Sequence, residues 1–161
     1  MRIVDILSED LVVPEIQATK KPAVIEELVD HLARARPDVD RAEALSVLLE
    51  REKLGSTGVG NGFAIPHGKL SSLTRVIACL GRSPKGVDFS SLDGRPAYLF
   101  FALFAPQGSA GLHLKALARA SRLFKEESFR AQLLAESQAA NLWRLIREQD
   151  ERLALGDDAR R

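Results

Sequence analysis

The stretch Glu52-Lys53-Leu54-Gly55-Ser56-Thr57-Gly58-Val59-Gly60-Asn61-Gly62-Phe63-Ala64-Ile65-Pro66-His67-Gly68-Lys69-Leu70 passes from helix-forming residues through a glycine ladder into a short apolar run. Gly55, Gly58, Gly60 and Gly62 open backbone conformations closed to other residues. Phe63-Ala64-Ile65 predicts a strand, Pro66 fixes the angle at which the chain leaves it, and His67-Gly68 is expected where that strand ends. Core packing does not call for a histidine in such a place. The segment presents one imidazole on a rigid stub, and that imidazole is the candidate nucleophile.

On the N-terminal side, Thr19 reads as the N-cap of a helix running to about Arg36, with Pro22 in its first turn. Val24, Ile25, Leu28, Val29, Leu32 and Ala35 form its apolar stripe. Asp40 is expected to cap a second helix, with Glu43 as its capping-box partner. Leu45, Leu48 and Leu49 should face inward, and Gly55 should stop the helix. On the C-terminal side, Arg75–Leu80 and Tyr98–Phe104 are nearly continuous apolar runs, the pattern of strands covered on both faces. Pro84, Gly86, Gly94 and Pro96 punctuate the connection between them. A helical pattern begins near Gly111 with Leu112, Leu114, Leu117, Ala118 and Leu123. Ser128 and Ser137 are expected to cap two further short helices, around Leu133-Leu134 and Leu142–Ile146. The charged segment from Gln149 to Arg161 reads as a frayed tail, leaving a core of about 3–148. Helices before and after a central run of strands predict an α/β fold. One domain over 1–161 is expected, with a central mixed β-sheet flanked by helices on both faces.

Bulk properties narrow the function classes. A formal net charge of +1 gives no electrostatic case for nucleic acid or an anionic membrane. Arg119, Arg122 and Lys125 read as the solvated face of a helix. The lone cysteine, Cys79, lies in the apolar run Val76–Leu80 and reads as an inert core thiol. No apolar stretch has the form of a signal peptide or a membrane span, which predicts a cytoplasmic protein without membrane insertion.

The glycine-rich segment fails as a nucleotide loop. Gly68-Lys69 is preceded five positions earlier by Phe63 and followed by Leu70, not by Ser or Thr. His31, His67, His113 and Cys79 show no ligand pair at zinc spacing, and no Gly-x-Ser-x-Gly elbow occurs. His31 flanks an apolar stripe and reads as structural. A phosphoryl acceptor fits His67 better. Neutral imidazole is a competent nucleophile near neutrality, and the incoming group brings roughly two negative charges that need donors. Arg51, whose planar fork suits phosphate oxygens, His113 in Gly-Leu-His-Leu, and backbone N–H groups beside Gly68 are the candidates.

Arg51-Glu52-Lys53-Leu54-Gly55-Ser56-Thr57-Gly58 followed by Ala64-Ile65-Pro66-His67-Gly68 resembles the enzyme IIA domains of the bacterial phosphotransferase system, fructose/mannitol class. Gly58–Gly62 with Lys69-Leu70 is most similar to its nitrogen-regulatory branch, and the likeness runs over nearly the whole chain. The resemblance implies a phosphotransferase with a phosphohistidine at His67, charged by an HPr-like histidine phosphocarrier protein. Arg51 and His113 would line the phosphate site, with Gly68, Pro66, Ser56 and Thr57 as its backbone and support. No metal, nucleotide or other cofactor is implied. The output would be regulation of cytosolic partners, sensor kinases or potassium-transport regulators among them. Two alternatives stand beside this reading: a sugar-specific enzyme IIA feeding a membrane permease, and a binding module whose histidine is idle.

Overall fold

A computed structural model describes residues 1–160 of the chain. Two short 3-10 turns, Ile3–Asp5 and Glu9–Leu11, lead into strand β1 (Val12–Val13). Helices α1 (Lys21–Ala35) and α2 (Arg41–Lys53) follow. Next come strands β2 (Gly58–Gly60), β3 (Phe63–Ala64), β4 (His67–Leu70), β5 (Ile77–Val87) and β6 (Ala97–Pro106). Helices α3 (Ala110–Leu123), α4 (Glu127–Ala135) and α5 (Ala139–Ala159) complete the order.

The sheet runs β1-β5-β6-β3-β2, and β4 pairs with β6 in line with β3. β5 and β6 are antiparallel, whereas β1 joins β5, and β3 and β4 join β6, in parallel, so the sheet is mixed. Helices cover both faces, as two adjacent residues of β5 show. Successive strand residues point to opposite sides. Gly81 lies against Leu28 of α1, while the next residue, Arg82, reaches through the other face to donate to the Leu134 carbonyl of α4 at 2.6 Å. The core between the layers is continuous, with Phe100, Phe101, Phe104 and Phe124 fully buried. Cys79 is among these core residues, and burial pushes its thiol pKa up to about 12, so it is an inert thiol.

Local capping departs from the sequence reading at several points. α1 starts at Lys21 behind Lys20 rather than behind Thr19, with Pro22 still in the first turn. Asp40 does accept the Glu43 N–H at 3.0 Å. Glu43 does not close the capping box: its carboxylate instead takes the backbone N–H of Ser71 at 2.6 Å, which ties α2 to the end of β4. Ser128 lies inside α4, and the N-cap of α5 is Gln138, not Ser137. β5 continues through Pro84 and Gly86, which the sequence places in a connection. The strand tolerates the proline because its register against β6 shifts between Arg82 and Val87, where ladder bonds are interrupted.

Two larger corrections concern the last helices. α3 buries Ala116, Ala120 and Leu123, while Leu112 and Leu114 face outward. The face that packs is therefore rotated from the Leu112/Leu114 stripe. The segment from Gln149 onward continues α5 as far as Ala159 instead of fraying. Its anchor is Asp150, whose side chain is 1% exposed. Asp150 accepts from Arg119 Nε of α3 at 2.5 Å and from the Ile3 N–H at 2.8 Å. Arg122 pairs with Asp157. The basic residues of α3 thus clamp α5 rather than form a solvated face, and a charge pattern alone does not distinguish the two.

Candidate phosphoryl-transfer site

The glycine ladder is a hairpin. Gly60 pairs with Phe63, and Asn61 and Gly62 between them have φ of 56° and 82°. Positive φ at both central residues is what an Asn-Gly hairpin turn requires. β3 and β4 then form one line along β6, interrupted at Ile65-Pro66. Phe63 lies opposite Leu99 and His67 opposite Leu103. His67 therefore begins a strand rather than closing one, and its place is fixed by sheet register. Pro66 contributes its carbonyl, which accepts the Leu103 N–H at 2.8 Å. Gly68 faces the opposite side, toward α2, where a Cβ would collide with Val47 Cγ1. Its glycine identity serves close packing of strand on helix.

His67 is half-buried. Its Nδ1 lies 2.7 Å from the Ile65 carbonyl. A carbonyl only accepts, so Nδ1 carries the proton and Nε2 keeps the lone pair. The His113 ring, from the first turns of α3, stands edge-on to it at 89° with centroids 5.3 Å apart. His113 Nε2 is buried and has no hydrogen-bond partner among the described residues. Such an atom is a ready partner for a group placed between the rings. Burial lowers the pKa of His67, with the Arg51 charge adding to it. Burial, then the proximity of His67 and Lys69, lowers that of His113.

Arg51 sits in the last turn of α2, and its Nη1 donates to the Gly55 carbonyl at 2.9 Å. Among the described residues no carboxylate lies within ion-pairing reach of it, so its charge is uncompensated. The structure thus brings His67, His113 and Arg51 into one neighbourhood. Ser56 and Thr57 are close in sequence but their hydroxyls are occupied. Ser56 Oγ donates to the Phe89 carbonyl at 2.7 Å and accepts the Gly58 N–H at 3.0 Å. Thr57 Oγ1 donates to Glu52. They hold the loop. His31 is apart from this site, with its Nε2 2.8 Å from the Asp10 carbonyl, a structural bond.

Sequence reasoning missed Glu52. Its carboxylate binds Lys21 Nζ at 2.7 Å and the Thr57 N–H at 3.1 Å, joining α1, α2 and the loop that leads to the hairpin. A signal was present: a carboxylate in the last turn of a helix opposes the macrodipole and needs another reason to be there.

The two lowered pKa values give a testable consequence. A depressed histidine pKa means the folded state resists protonation, so the associated stability is complete above the ordinary value of 6.5 and is lost as pH falls through the folded pKa. In a pH titration followed by nuclear magnetic resonance, both rings should deprotonate with midpoints below 6.5. A midpoint above 6.5 for either ring contradicts this electrostatic picture.

Fold and site together define a class. The chain belongs to the EIIA 2 family of the phosphoenolpyruvate-dependent sugar phosphotransferase system, whose model matches residues 5–149. Within that family, it is 38% identical over 146 residues to a nitrogen regulatory protein of Bradyrhizobium diazoefficiens, covering 91% of this chain and 95% of the relative. The crystal structure of nitrogen regulatory protein IIA-Ntr from Neisseria meningitidis superposes with a TM-score of 0.82 at 32% identity, covering 89% of this chain and 98% of that one. The fructose-specific EIIABC component of Bacillus subtilis is 42% identical over 141 residues, 87% of this chain and 22% of that longer protein.

Proposed function

We propose that the protein is a phosphocarrier of the nitrogen-regulatory kind, accepting a phosphoryl group on Nε2 of His67 from an HPr-like histidine phosphocarrier. The observation that carries this reading is the His67 ring itself. Its Nδ1–H is committed to the Ile65 carbonyl, which leaves Nε2 as the nitrogen with a free lone pair. The His113 ring, whose own Nε2 lacks a partner among the described residues, stands edge-on with centroids 5.3 Å away. In the forward step the His67 Nε2 lone pair forms the new P–N bond as the donor's P–N bond breaks. The donor imidazole keeps that electron pair. A loose, in-line transition state spreads charge over three phosphoryl oxygens, which Arg51 stabilises and His113 orients. The Ser56 and Thr57 hydroxyls, engaged with the Phe89 carbonyl and Glu52, are assigned to holding the loop rather than to that step. Among the described residues no helix is long and apolar enough to cross a membrane. The output we assign is control of cytosolic partners by phosphorylation state, with sensor kinases and potassium-transport regulators as candidates. The likeness to the fructose-specific EIIABC component favours a second reading, in which the phosphoryl group passes on to a sugar-permease component.

The test is to supply phosphoenolpyruvate, the first phosphotransferase of the system and its carrier, and to read the product by phosphorus–nitrogen correlation spectroscopy. A phosphoryl group on Nε2 of His67 is expected. Attachment at Nδ1, or on His31, overturns the mechanism. Rapid onward transfer to a sugar-permease domain, with cytosolic partners indifferent to phosphorylation, selects the second reading.

A further inference from the structure

On the face of the sheet that carries His67, a second cavity opens four residues back along β6. It has a volume of about 610 Å³ and lies between α4, the Asn61-Gly62 turn and the start of β6. At the strand rise of about 3.3 Å per residue, Leu99 in its wall stands roughly 13 Å from Leu103, the register partner of His67. The cavity is therefore separate from the phosphoryl-transfer site. Arg95, Tyr98, Leu99, Glu127, Arg130 and Leu134 are the lining residues that matter.

Its charge is out of balance. Arg130 Nη1 is held by the Phe124 and Lys125 carbonyls at 2.7 Å each, which fixes the guanidinium. Arg95 is exposed, and its side chain makes no hydrogen bond among the described residues. Behind the wall lies Arg82, 8% exposed. It is the register partner of Leu99, so the two side chains leave the sheet on the same face. Its Nη1 and Nη2 donate to the Pro14 and Leu134 carbonyls, while its Nε is buried without a partner. Among the described residues no carboxylate comes within 4 Å of the Arg82, Arg95 or Arg130 guanidinium; the nearest influence on Arg95 is the Asp93 carboxylate, which accepts the Arg95 and Asn61 N–H groups at 3.0 Å each. Glu127 is the one carboxylate in the cavity lining. A buried guanidinium without a counter-ion is costly, and an anion nearby offsets that cost.

We infer that this cavity is a binding site for a small organic phosphate. Arg95 and Arg130 supply planar forks that match phosphate oxygens, with the Arg82 charge behind them. The volume exceeds what a bare phosphate needs and falls in the range of small-molecule sites. The half-buried Tyr98 ring and the Leu99 and Leu134 side chains offer apolar surface to the organic body. Glu127 and the Asn61 amide can bond hydroxyl or amino groups. Nucleotides and sugar phosphates share this chemistry, and a base would stack on Tyr98 where a sugar would not.

The experiment is a titration of the full chain with adenosine monophosphate, ribose 5-phosphate and succinate, followed by amide chemical shifts. Saturable shifts of Asn61, Gly62, Arg95 and Tyr98 are expected with at least one of the two phosphates. The same pattern should appear in His67→Ala, because the site does not depend on phosphoryl transfer. Arg95→Gln, an exposed change, should weaken binding about tenfold or more, the scale of one charge-assisted hydrogen bond, with the melting temperature unchanged. Tighter binding of adenosine monophosphate than of ribose 5-phosphate assigns the site to nucleotides, and the reverse order to sugar phosphates. No saturable shift with either phosphate, tighter binding of succinate, or unaltered affinity in Arg95→Gln overturns the inference.

Discussion

His67→Ala will not accept a phosphoryl group from the charged carrier, while the parent chain will, and its label will be acid-labile and alkali-stable as a P–N bond is. The loss is total because the substitution removes the attacking atom, and no other imidazole can take its place. His31 is engaged with the Asp10 carbonyl on another part of the fold. His113 presents a buried Nε2 from α3 but lacks the strand register that holds His67. Arg51→Ala in the same assay should slow transfer about 10²-fold, the effect of removing one donor aimed at developing charge. Arg51→Lys should recover only part of it, since an ammonium lacks the fork. Persistent labelling of His67→Ala refutes the assignment of the nucleophile. A parent-like rate for Arg51→Ala removes Arg51 from the site.

The second large effect is on stability. Asp150→Ala should destabilise the fold by about 3 kcal/mol, at the low end for breaking one half of a buried ion pair. The low end applies because Arg119 keeps the Asp150 backbone carbonyl at 2.9 Å and has Asp157 within 3.8 Å. The Ile3 N–H loses its acceptor as well. For a domain of this size the melting temperature should fall by roughly 6–12 °C. Asp150→Asn retains volume and an acceptor, so its loss should be smaller. Urea unfolding midpoints decide the matter: a midpoint of Asp150→Ala equal to that of the parent shows that the clamp between α3, α5 and the N-terminal turn contributes nothing net.

Much of this was legible in the chain. Period-3.6 apolar patterns marked α1 and α2, nearly continuous apolar runs marked the two long strands, and the Ala64–Gly68 string marked the candidate nucleophile. The features that escaped depend on contacts distant in sequence. Glu43 looked like a capping-box partner, but Ser71, 28 residues on, competes for its carboxylate and wins. Leu112 and Leu114 looked like a core stripe, but small Ala116 and Ala120 let α3 approach the sheet on the other side. Asp150 sits in a segment whose composition reads as a solvated tail. Its burial makes sense only once Arg119 and Ile3 have been brought to it. Pro84 ends most strands, and nothing local announced that β5 would shift register beside it. At the candidate site, His67 and Arg51 stood out because each has a chemistry that packing alone does not use. Glu52 was passed over because its partners lie on two other elements, Lys21 of α1 and Thr57 of the loop before the hairpin.

The break at Ile65-Pro66 has a consequence for the direction of flow. The candidate nucleophile, His67, stands on the sheet itself, with its ring orientation set by a backbone carbonyl two residues away and its register by β6. Under the proposed reading, donor and recipient meet the same stationary imidazole from the same side, and neither arrival nor departure requires the chain to change state. A carrier built in this way cannot act as a ratchet. The phosphoryl group should run either way along the relay, its occupancy on His67 following the transfer potentials of the molecules on either side, so that the protein acts as a gauge of how fully the relay is charged.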